Sequence, residues 1–383
     1  MRILLDHQVF CYQRVGGISR YFCEIASRIA AMPGASCEIP VRYSENEYLT
    51  HCMDSCSGLA QLSAFPRAFP IGSLGRFVVS YGLNGMRARS ALDEGTGRFD
   101  VFHPTFYDDY FLGHLKDQPF VVTIHDMIPE RFPGMFNVRG IYGRLVTKRW
   151  IANKPAIVRR AAHVIAVSHQ TKADLVDLFG TDPSKVSVVH HGGTLDHLIE
   201  SARVEFSYPY LLYVGTRQGY KNFPCFVRAT RSVLQANREL RVKCVGGGGF
   251  TKRERCLLGD YCVADRYEQL TATDAELANL YGGACAFVFP SCYEGFGIPI
   301  VEAMSCGCPC ILADTPCFRE IGQTAAEYFP PSDPAALSDL LHAVLSSDSR
   351  RADLASRGRV QALRFSWDRA AAETASVYRR AVR

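Results

Sequence analysis

Short apolar runs of four to six residues, rich in Val, Ile and Phe, alternate along the whole chain with stretches whose apolar positions recur every three or four residues. Runs of that length are strands, and strands without a polar face belong to parallel sheets covered by helices on both sides. In the first half they predict strands at 2–5, 99–102, 120–124, 163–167 and 186–190. In the second half the predicted strands are 210–214, 240–245, 285–289 and 308–312. Each half therefore carries its own sheet, and the class is α/β. Between them, residues 191–209 mix two glycines with polar residues and read as a linker. Helix starts are legible as well. Thr273 with Glu276 forms a capping box, and Asp333 before Pro334 is an N-cap followed by proline at the first helical position. The closing segment starts with a Ser366 cap and continues as an alanine-rich helix, expected to pack back on the first half. The expected division is a first domain at 1–195, a second at 206–365 and a returning helix at 366–383.

Length supports that division, since 383 residues exceed what one core usually serves. Hydrophobic residues at 48% and charged residues at 21% are ordinary for a folded protein. The net charge of +5 suits anionic small ligands or a membrane surface. It comes without the basic and aromatic signature of nucleic-acid binding, which argues against such a partner. The chain enters its first strand directly, with no secretory leader pattern, and no apolar run approaches the roughly 20 residues of a spanning helix. A cytoplasmic protein is expected, and residues 63–90 qualify this. There Arg67, Arg76, Arg87 and Arg89 interleave with Phe65, Phe69, Phe77 and Tyr81 without an acidic residue. Such a stretch is either a surface for anionic lipid or a lipid-linked acceptor, or a helix with a solvated basic face.

The 15 cysteines are odd in number and scattered, unlike a disulfide framework. Cys306, Cys308 and Cys310 would point the same way from a strand with no fourth ligand nearby, so no metal site is expected. The run Gly246–Gly249 does not match GxGxxG, and no redox cofactor is expected.

Three strand-to-helix junctions carry candidate chemistry. In SCYEGFGIPIVEAMSCGCPC (291–310), Gly295 and Gly297 let a ligand approach the backbone, and a helix start near Ile298 presents unpaired N–H groups. Glu294 in the loop and Glu302 one turn into the helix place two carboxylates at different heights, suited to separate sugar hydroxyls. In YVGTRQGYKNF (213–223), Arg217 and Lys221 stand beyond a strand end, where parallel sheets bind ligands and two cations could neutralise a diphosphate leaving group. Near the first strand, Gly16 and Gly17 precede a helix with Ile18, Phe22, Ile25 and Ile29 on one face, so that a helix N-terminus could meet a phosphate. His125, with Asp126, and His103 close two further strands; an imidazole there either contacts a sugar or phosphate, or serves the core.

With IHDMIPERFP (124–133), VSHQTKADL (167–175), GTRQGYKNF (215–223) and EGFGIPIVEAM (294–304) in this order, the chain resembles family-4 glycosyltransferases, from the glycine pair to the FSW helix. The resemblance implies the GT-B fold, two facing Rossmann-like domains, and a retaining, metal-independent hexosyltransferase with no cofactor beyond a nucleotide-diphosphate sugar as co-substrate. It implies that Arg217 and Lys221 bind the diphosphate, Glu294 the transferred sugar and Glu302 the ribose. Phe296, Gly297 and Ile298 would line the donor pocket, with Gly16, Gly17 and His125 closing it, while His103 and Asp126 are acceptor-side candidates. It further implies front-face displacement, in which the leaving phosphate helps to take the acceptor proton. HPTFYDDYF (103–111) and IHDMIPERFP look most like bacterial polysaccharide and O-antigen mannosyltransferases, which favours GDP-mannose as donor and a glycan or lipid-linked acceptor. The competing readings are a sugar-nucleotide epimerase on the same fold and a non-catalytic nucleotide-sugar-binding scaffold subunit.

Overall fold

The computed structural model describes residues 1–64, 72–95, 97–135, 141–193, 195, 198 and 207–383. In chain order the first half forms β1 (Arg2–Leu5), α1 (Gln8–Tyr12), α2 (Gly17–Ala30), β2 (Ser36–Glu38), α3 (Ser73–Asp93), β3 (Val101–His103), β4 (Val121–Ile124), α4 (Ile128–Arg131), α5 (Ile141–Arg160), β5 (His163–Ala166), α6 (His169–Phe179) and β6 (Val186–Val188). The second half forms β7 (Tyr210–Val214), α7 (Phe223–Ala236), β8 (Arg241–Val245), α8 (Lys252–Asp260), β9 (Tyr267–Leu270), α9 (Asp274–Gly283), β10 (Ala286–Phe289), α10 (Ile298–Ser305), β11 (Cys310–Ala313), α11 (Pro316–Gly322), β12 (Ala326–Phe329), α12 (Pro334–Leu345), α13 (Asp348–Ala362) and α14 (Trp367–Ala381). Two compact units result: Met1–Glu130 with Val138–His191 and Trp367–Arg383, and Arg131–Asn137 with Gly192–Ser366.

In the first unit β2-β1-β3 and β4-β5-β6 are parallel three-stranded sheets, and a parallel bridge from Phe102 to Phe120 carries the order through as 2-1-3-4-5-6. The second unit has one parallel six-stranded sheet ordered β9-β8-β7-β10-β11-β12. Counted from its own first strand this is 3-2-1-4-5-6, the doubly wound dinucleotide-binding order, whose direction reverses between β7 and β10. Central strands such as VVTI and AFVF are buried throughout, as helices on both faces require.

Every strand expected from an apolar run is present, with bounds within two residues. The sheet edges β2 (SCE), β9 (YEQL) and β12 (AEYF) were not expected, because half-exposed three- and four-residue strands leave no apolar run to read. Both capping signals hold: Thr273 and Glu276 cap α9 reciprocally, and Asp333 accepts from Ala335 N and Ala336 N. Of the linker, 194, 196, 197 and 199–206 lie outside the described residues.

The closing helix belongs to the first unit. Trp367 and Tyr378 are buried there, the Tyr378 hydroxyl lies 2.7 Å from His103 Nδ1, and Asp368 pairs with Arg28 at 2.7 Å. Each large ring buried this way is worth about 1.5–3 kcal/mol.

Two expectations need correction. Cys306 caps α10, Cys308 lies in the following turn and Cys310 opens β11, so the three thiols do not share one strand face, although all are buried. Most of the basic stretch at 63–90 is α3, and its outward surface carries Leu74, Val78, Val79 and Met86 as well as Arg87 and Arg89; residues 65–71, with Arg67 and two of its phenylalanines, fall outside the described residues. Among the described residues no helix is long and apolar enough to cross a membrane.

Candidate functional site

The reversal in the second unit's strand order leaves β7 and β10 side by side, with their connections departing on opposite sides. The segment after β7 supplies Lys221, and the segment after β10 supplies Glu294. Lys221 Nζ lies 2.6 Å from Glu294 Oε1, and both side chains keep a little exposure, 14% and 12%. The ammonium also sits over the Phe289 ring at 5.1 Å, beside Gly215, whose φ of +123° turns the chain after β7. Residues 73 apart in sequence thus form one polar pair at the carboxyl edge of the sheet, where doubly wound sheets bind ligands.

Immediately beyond, α10 begins. Gly297 is its N-cap at φ +108°, a left-handed conformation that favours glycine. Phe296 is buried, and its carbonyl accepts from the Cys317 thiol at 2.9 Å, which fixes the loop. Glu302 is only 5% exposed and its Oε2 receives the Tyr281 hydroxyl at 3.4 Å. Glu294, Phe296, Gly297, Ile298 and Glu302 therefore belong to one loop and helix start. The Ser291 hydroxyl at the end of β10 is buried without a hydrogen-bond partner.

Arg217 departs from its expected place. Its side chain is 1% exposed and turned inward: Nε meets Glu254 Oε1 at 3.2 Å, one terminal nitrogen donates to Gly246 O at 2.8 Å, and the other donates to Gly248 O at 2.6 Å. The guanidinium also lies over the Phe250 ring at 4.8 Å. Gly246, Gly247 and Gly248 all have positive φ, which turns their carbonyls toward this one side chain. A diphosphate contact would require the guanidinium to leave these partners. Glu254, which the sequence did not single out, has two tasks, since its other oxygen accepts from Thr251 N and caps α8.

In the first unit, α2 starts at the glycine pair. Gly16 is the N-cap in extended backbone, Gly17 is exposed, and Gln13 Oε1 accepts from Ser19 N at 3.0 Å. His125, 8% exposed, packs its ring against Tyr21, Phe22 and His191, with Nε2 buried and unpartnered. Asp126 caps the next helix through Ile128 N at 3.0 Å. His103, an acceptor-side candidate, is turned into the core. Its ring is wholly buried, with Nδ1 at the Tyr378 hydroxyl and Nε2 3.0 Å from Thr123 Oγ1, so the core reading holds. Also missed was Lys154 on α5, buried and 2.7 Å from Glu130, behind the His125–Asp126 turn. Glu130 lies inside the quoted IHDMIPERFP motif and Lys154 in a plain-looking helical segment, and only tertiary contact pairs them.

Burial lowers the pKa of His7, His103 and His125 from the ordinary 6.5 to about 3, and that of His191 well below its usual range. The unfolded chain therefore binds more protons than the native one between about pH 3 and 6.5. The stability these neutral rings carry is complete above pH 6.5 and is lost as pH falls through that window, by up to about 1.4 kcal/mol per pH unit for each histidine. Asp6, whose pKa burial raises, acts in the opposite sense over its own window. Acidification from pH 7 to 5 is expected to lower the unfolding midpoint steeply, and differential scanning calorimetry across that range checks it; a flat profile contradicts the assignment.

Comparison with known proteins agrees with this architecture. Residues 15–197 match Glycosyltransferase Family 4, and residues 199–361 match Glycosyl transferases group 1. The chain belongs to this glycosyltransferase family. The O-antigen chain mannosyltransferase RfbU of Salmonella typhimurium is 30% identical over 213 residues, 55% of this chain and 57% of that protein, so the matched part spans little more than half of this curated relative. The D-inositol 3-phosphate glycosyltransferase of Xylanimonas cellulosilytica is 28% identical over 400 residues, 96% of this chain and 92% of that one. Among solved structures, Anabaena HepE in complex with UDP and glucose superimposes with a TM-score of 0.71 at 18% identity, covering 98% of each chain. The fold is that of the GT-B glycosyltransferases.

Proposed function

We propose that the protein transfers a hexosyl group, with mannose favoured, from a nucleotide-diphosphate sugar to a glycan or lipid-linked acceptor, retaining anomeric configuration and needing no metal. The observation that carries this reading is the Lys221–Glu294 pair at the strand-order reversal of the second unit. Its two halves suit the two ends of such a donor. The ammonium meets the diphosphate, whose negative charge grows as the sugar–oxygen bond breaks, and the carboxylate accepts hydrogen bonds from the sugar hydroxyls. The start of α10 adds backbone N–H groups on the phosphate side, and Glu302 is the candidate for the ribose. In this reading Lys221 and the helix start supply the charge neutralisation that a divalent ion would otherwise give. The phosphate leaves on the face where the acceptor enters and takes its proton, so no covalent enzyme intermediate forms and Glu294 is not a nucleophile.

Support for the donor class comes from relatives: HepE was solved with UDP and glucose, and RfbU is named a mannosyltransferase. Thermal-shift and donor-hydrolysis measurements with GDP-mannose, UDP-glucose, UDP-N-acetylglucosamine and dTDP-rhamnose, all with chelator present, test the reading. Stabilisation by one donor, GDP-mannose first, and its slow hydrolysis under chelation are expected. Hydrolysis only with added metal would overturn metal independence, binding without turnover over any acceptor would favour the scaffold reading, and interconversion of the donor sugar would favour the epimerase.

A further inference from the structure

Four of the 15 cysteines meet in the first unit, brought together by three segments. Cys23 lies within α2, Cys37 is the centre of β2, and Cys52 closes the short 3₁₀ turn Glu47–Cys52, with Cys56 one turn further on, its N–H donating to Cys52 O at 2.8 Å. Packing of that turn on α2 puts Cys52 Sγ 3.6 Å from Cys23 O and 3.4 Å from Ser27 Oγ, one helical turn along. On the other side the chain after Cys56 runs beside β2, where Ser57 N donates to Cys37 O at 3.0 Å and Ile39 N to Ser57 O at 2.9 Å. The sulfurs thus form an unbroken row in the order Cys23, Cys52, Cys56, Cys37, each within hydrogen-bonding reach of the next, and all four residues are buried.

Each thiol alone would pass for a small core residue. A row of them has a chemistry that single ones lack, because a sulfur attacks an oxidised neighbour readily when the two already touch. Cys52 is the reactive member. The Cys23 thiol, then the Cys56 thiol, donate to it, Ser27 adds a hydroxyl and His51 stands nearby, and together they hold Cys52 well below the ordinary thiol range. Cys23, through its contact with Cys52 and its burial, and Cys56, through its contacts with Cys37 and Cys52, are pushed above that range and keep their protons. Among the described residues no three such side chains are placed to hold a metal ion.

We propose that Cys23 and Cys52 are a reversible oxidation site, closing to a disulfide when a peroxide enters, with Cys52 as the attacking sulfur and Cys23 as the resolving one. In the first step the Cys52 thiolate attacks a peroxide oxygen: the S–O bond forms, the O–O bond breaks, and the departing hydroxide takes a proton to become water. In the second the Cys23 sulfur attacks the resulting sulfenic acid: the S–S bond forms, the S–O bond breaks, and the hydroxyl leaves as water with the Cys23 proton. Two thiols give up two electrons, and one hydrogen peroxide becomes two waters. Pairing Cys52 with Cys23 leaves Cys56 and Cys37 in contact as a second pair, whereas a Cys52–Cys56 bridge would strand one sulfur at each end of the row. The bridge ties α2, which begins at the Gly16–Gly17 pair, to the turn Glu47–Cys52.

The full chain is treated with hydrogen peroxide until the exposed Cys256 and Cys262 have reacted, then alkylated and mapped by mass spectrometry without reduction, with cleavage at Asp54 separating Cys52 from Cys56. A peptide carrying Cys23 joined to one carrying Cys52 is expected, lost on treatment with dithiothreitol and absent in Cys52→Ser. The unfolding midpoint of the oxidised parent is expected to rise by roughly 5–10 °C, because the bridge closes a loop in the unfolded chain. Cys23→Ser, which keeps the attacking sulfur, should gain oxygen at Cys52 as sulfenic or sulfinic acid in place of the link, so the outcome does not hang on one variant's folding. No link once the exposed cysteines have reacted, a link of Cys52 to Cys56 alone, or a link formed only in urea would overturn the site. Zinc released in equal amount to the protein when the untreated parent is alkylated would overturn it as well.

Discussion

Replacing Lys221 by Met is expected to lower the rate of sugar transfer by about 10²–10³-fold, the usual cost of removing one preorganised group that stabilises transition-state charge. Glu294→Gln is expected to cost a comparable factor, because the amide keeps the shape but cannot accept from two hydroxyls at full charge. The two groups are 2.6 Å apart, and they act on one donor, so their losses should not add: the double variant should be little worse than either single one. Both side chains retain contact with solvent, so far-ultraviolet circular dichroism and the unfolding midpoint should stay near those of the parent. Steady-state rates for the four proteins, with whichever donor the thermal-shift measurements identify, check this. Turnover retained in both single variants would remove the pair from the chemistry, and strictly multiplicative losses would mean that each acts alone.

The pair was legible in sequence for a physical reason. Both residues follow apolar strands that could hardly be anything else, and each is announced by glycines that break the pattern at a strand end. Their meeting was not legible, because it depends on β7 and β10 being neighbours in the sheet. The edge strands escaped because a strand covered on one side needs no apolar run. His103 and His125 show the limit most clearly. His103 ends one buried strand and His125 follows another, each a candidate for a ligand contact, yet one ring is locked between Thr123 and Tyr378 while the other keeps a buried nitrogen without a partner. What separates them is a tyrosine 275 residues away on a helix that returns to the first unit. Glu254 was hidden differently. Neither its place as the far half of a capping box nor the meeting of its second oxygen with Arg217 was read from the sequence, and both appear only in the folded chain.

Arg217 separates the two ways of reading a motif, and Arg217→Leu is the experiment. A cation waiting for a diphosphate should cost activity and leave stability in the absence of donor untouched. The arrangement seen here demands more. Leu at 217 would strand the Gly246 and Gly248 carbonyls and leave Glu254 with a largely buried, unmatched charge. Breaking a buried pair from one side costs about 3–5 kcal/mol. In a unit of this size each kcal/mol lowers the unfolding midpoint by about 2–4 °C, so a fall on the order of 10 °C is expected without any ligand. Arg217→Lys should recover little, because a single ammonium cannot reproduce a planar fork serving several carbonyls and a carboxylate. Transfer should fall with it, since the loop after β8 lies next to the loop that carries Lys221: a Cβ on Gly246 would sit 3.7 Å from Gly215 O. Calorimetry of the donor-free variants decides the matter. An unchanged midpoint with lost transfer would return Arg217 to the diphosphate, whereas a large fall, only partly reversed by lysine, would make it the residue that holds the glycine loop in place and acts on the donor through that loop.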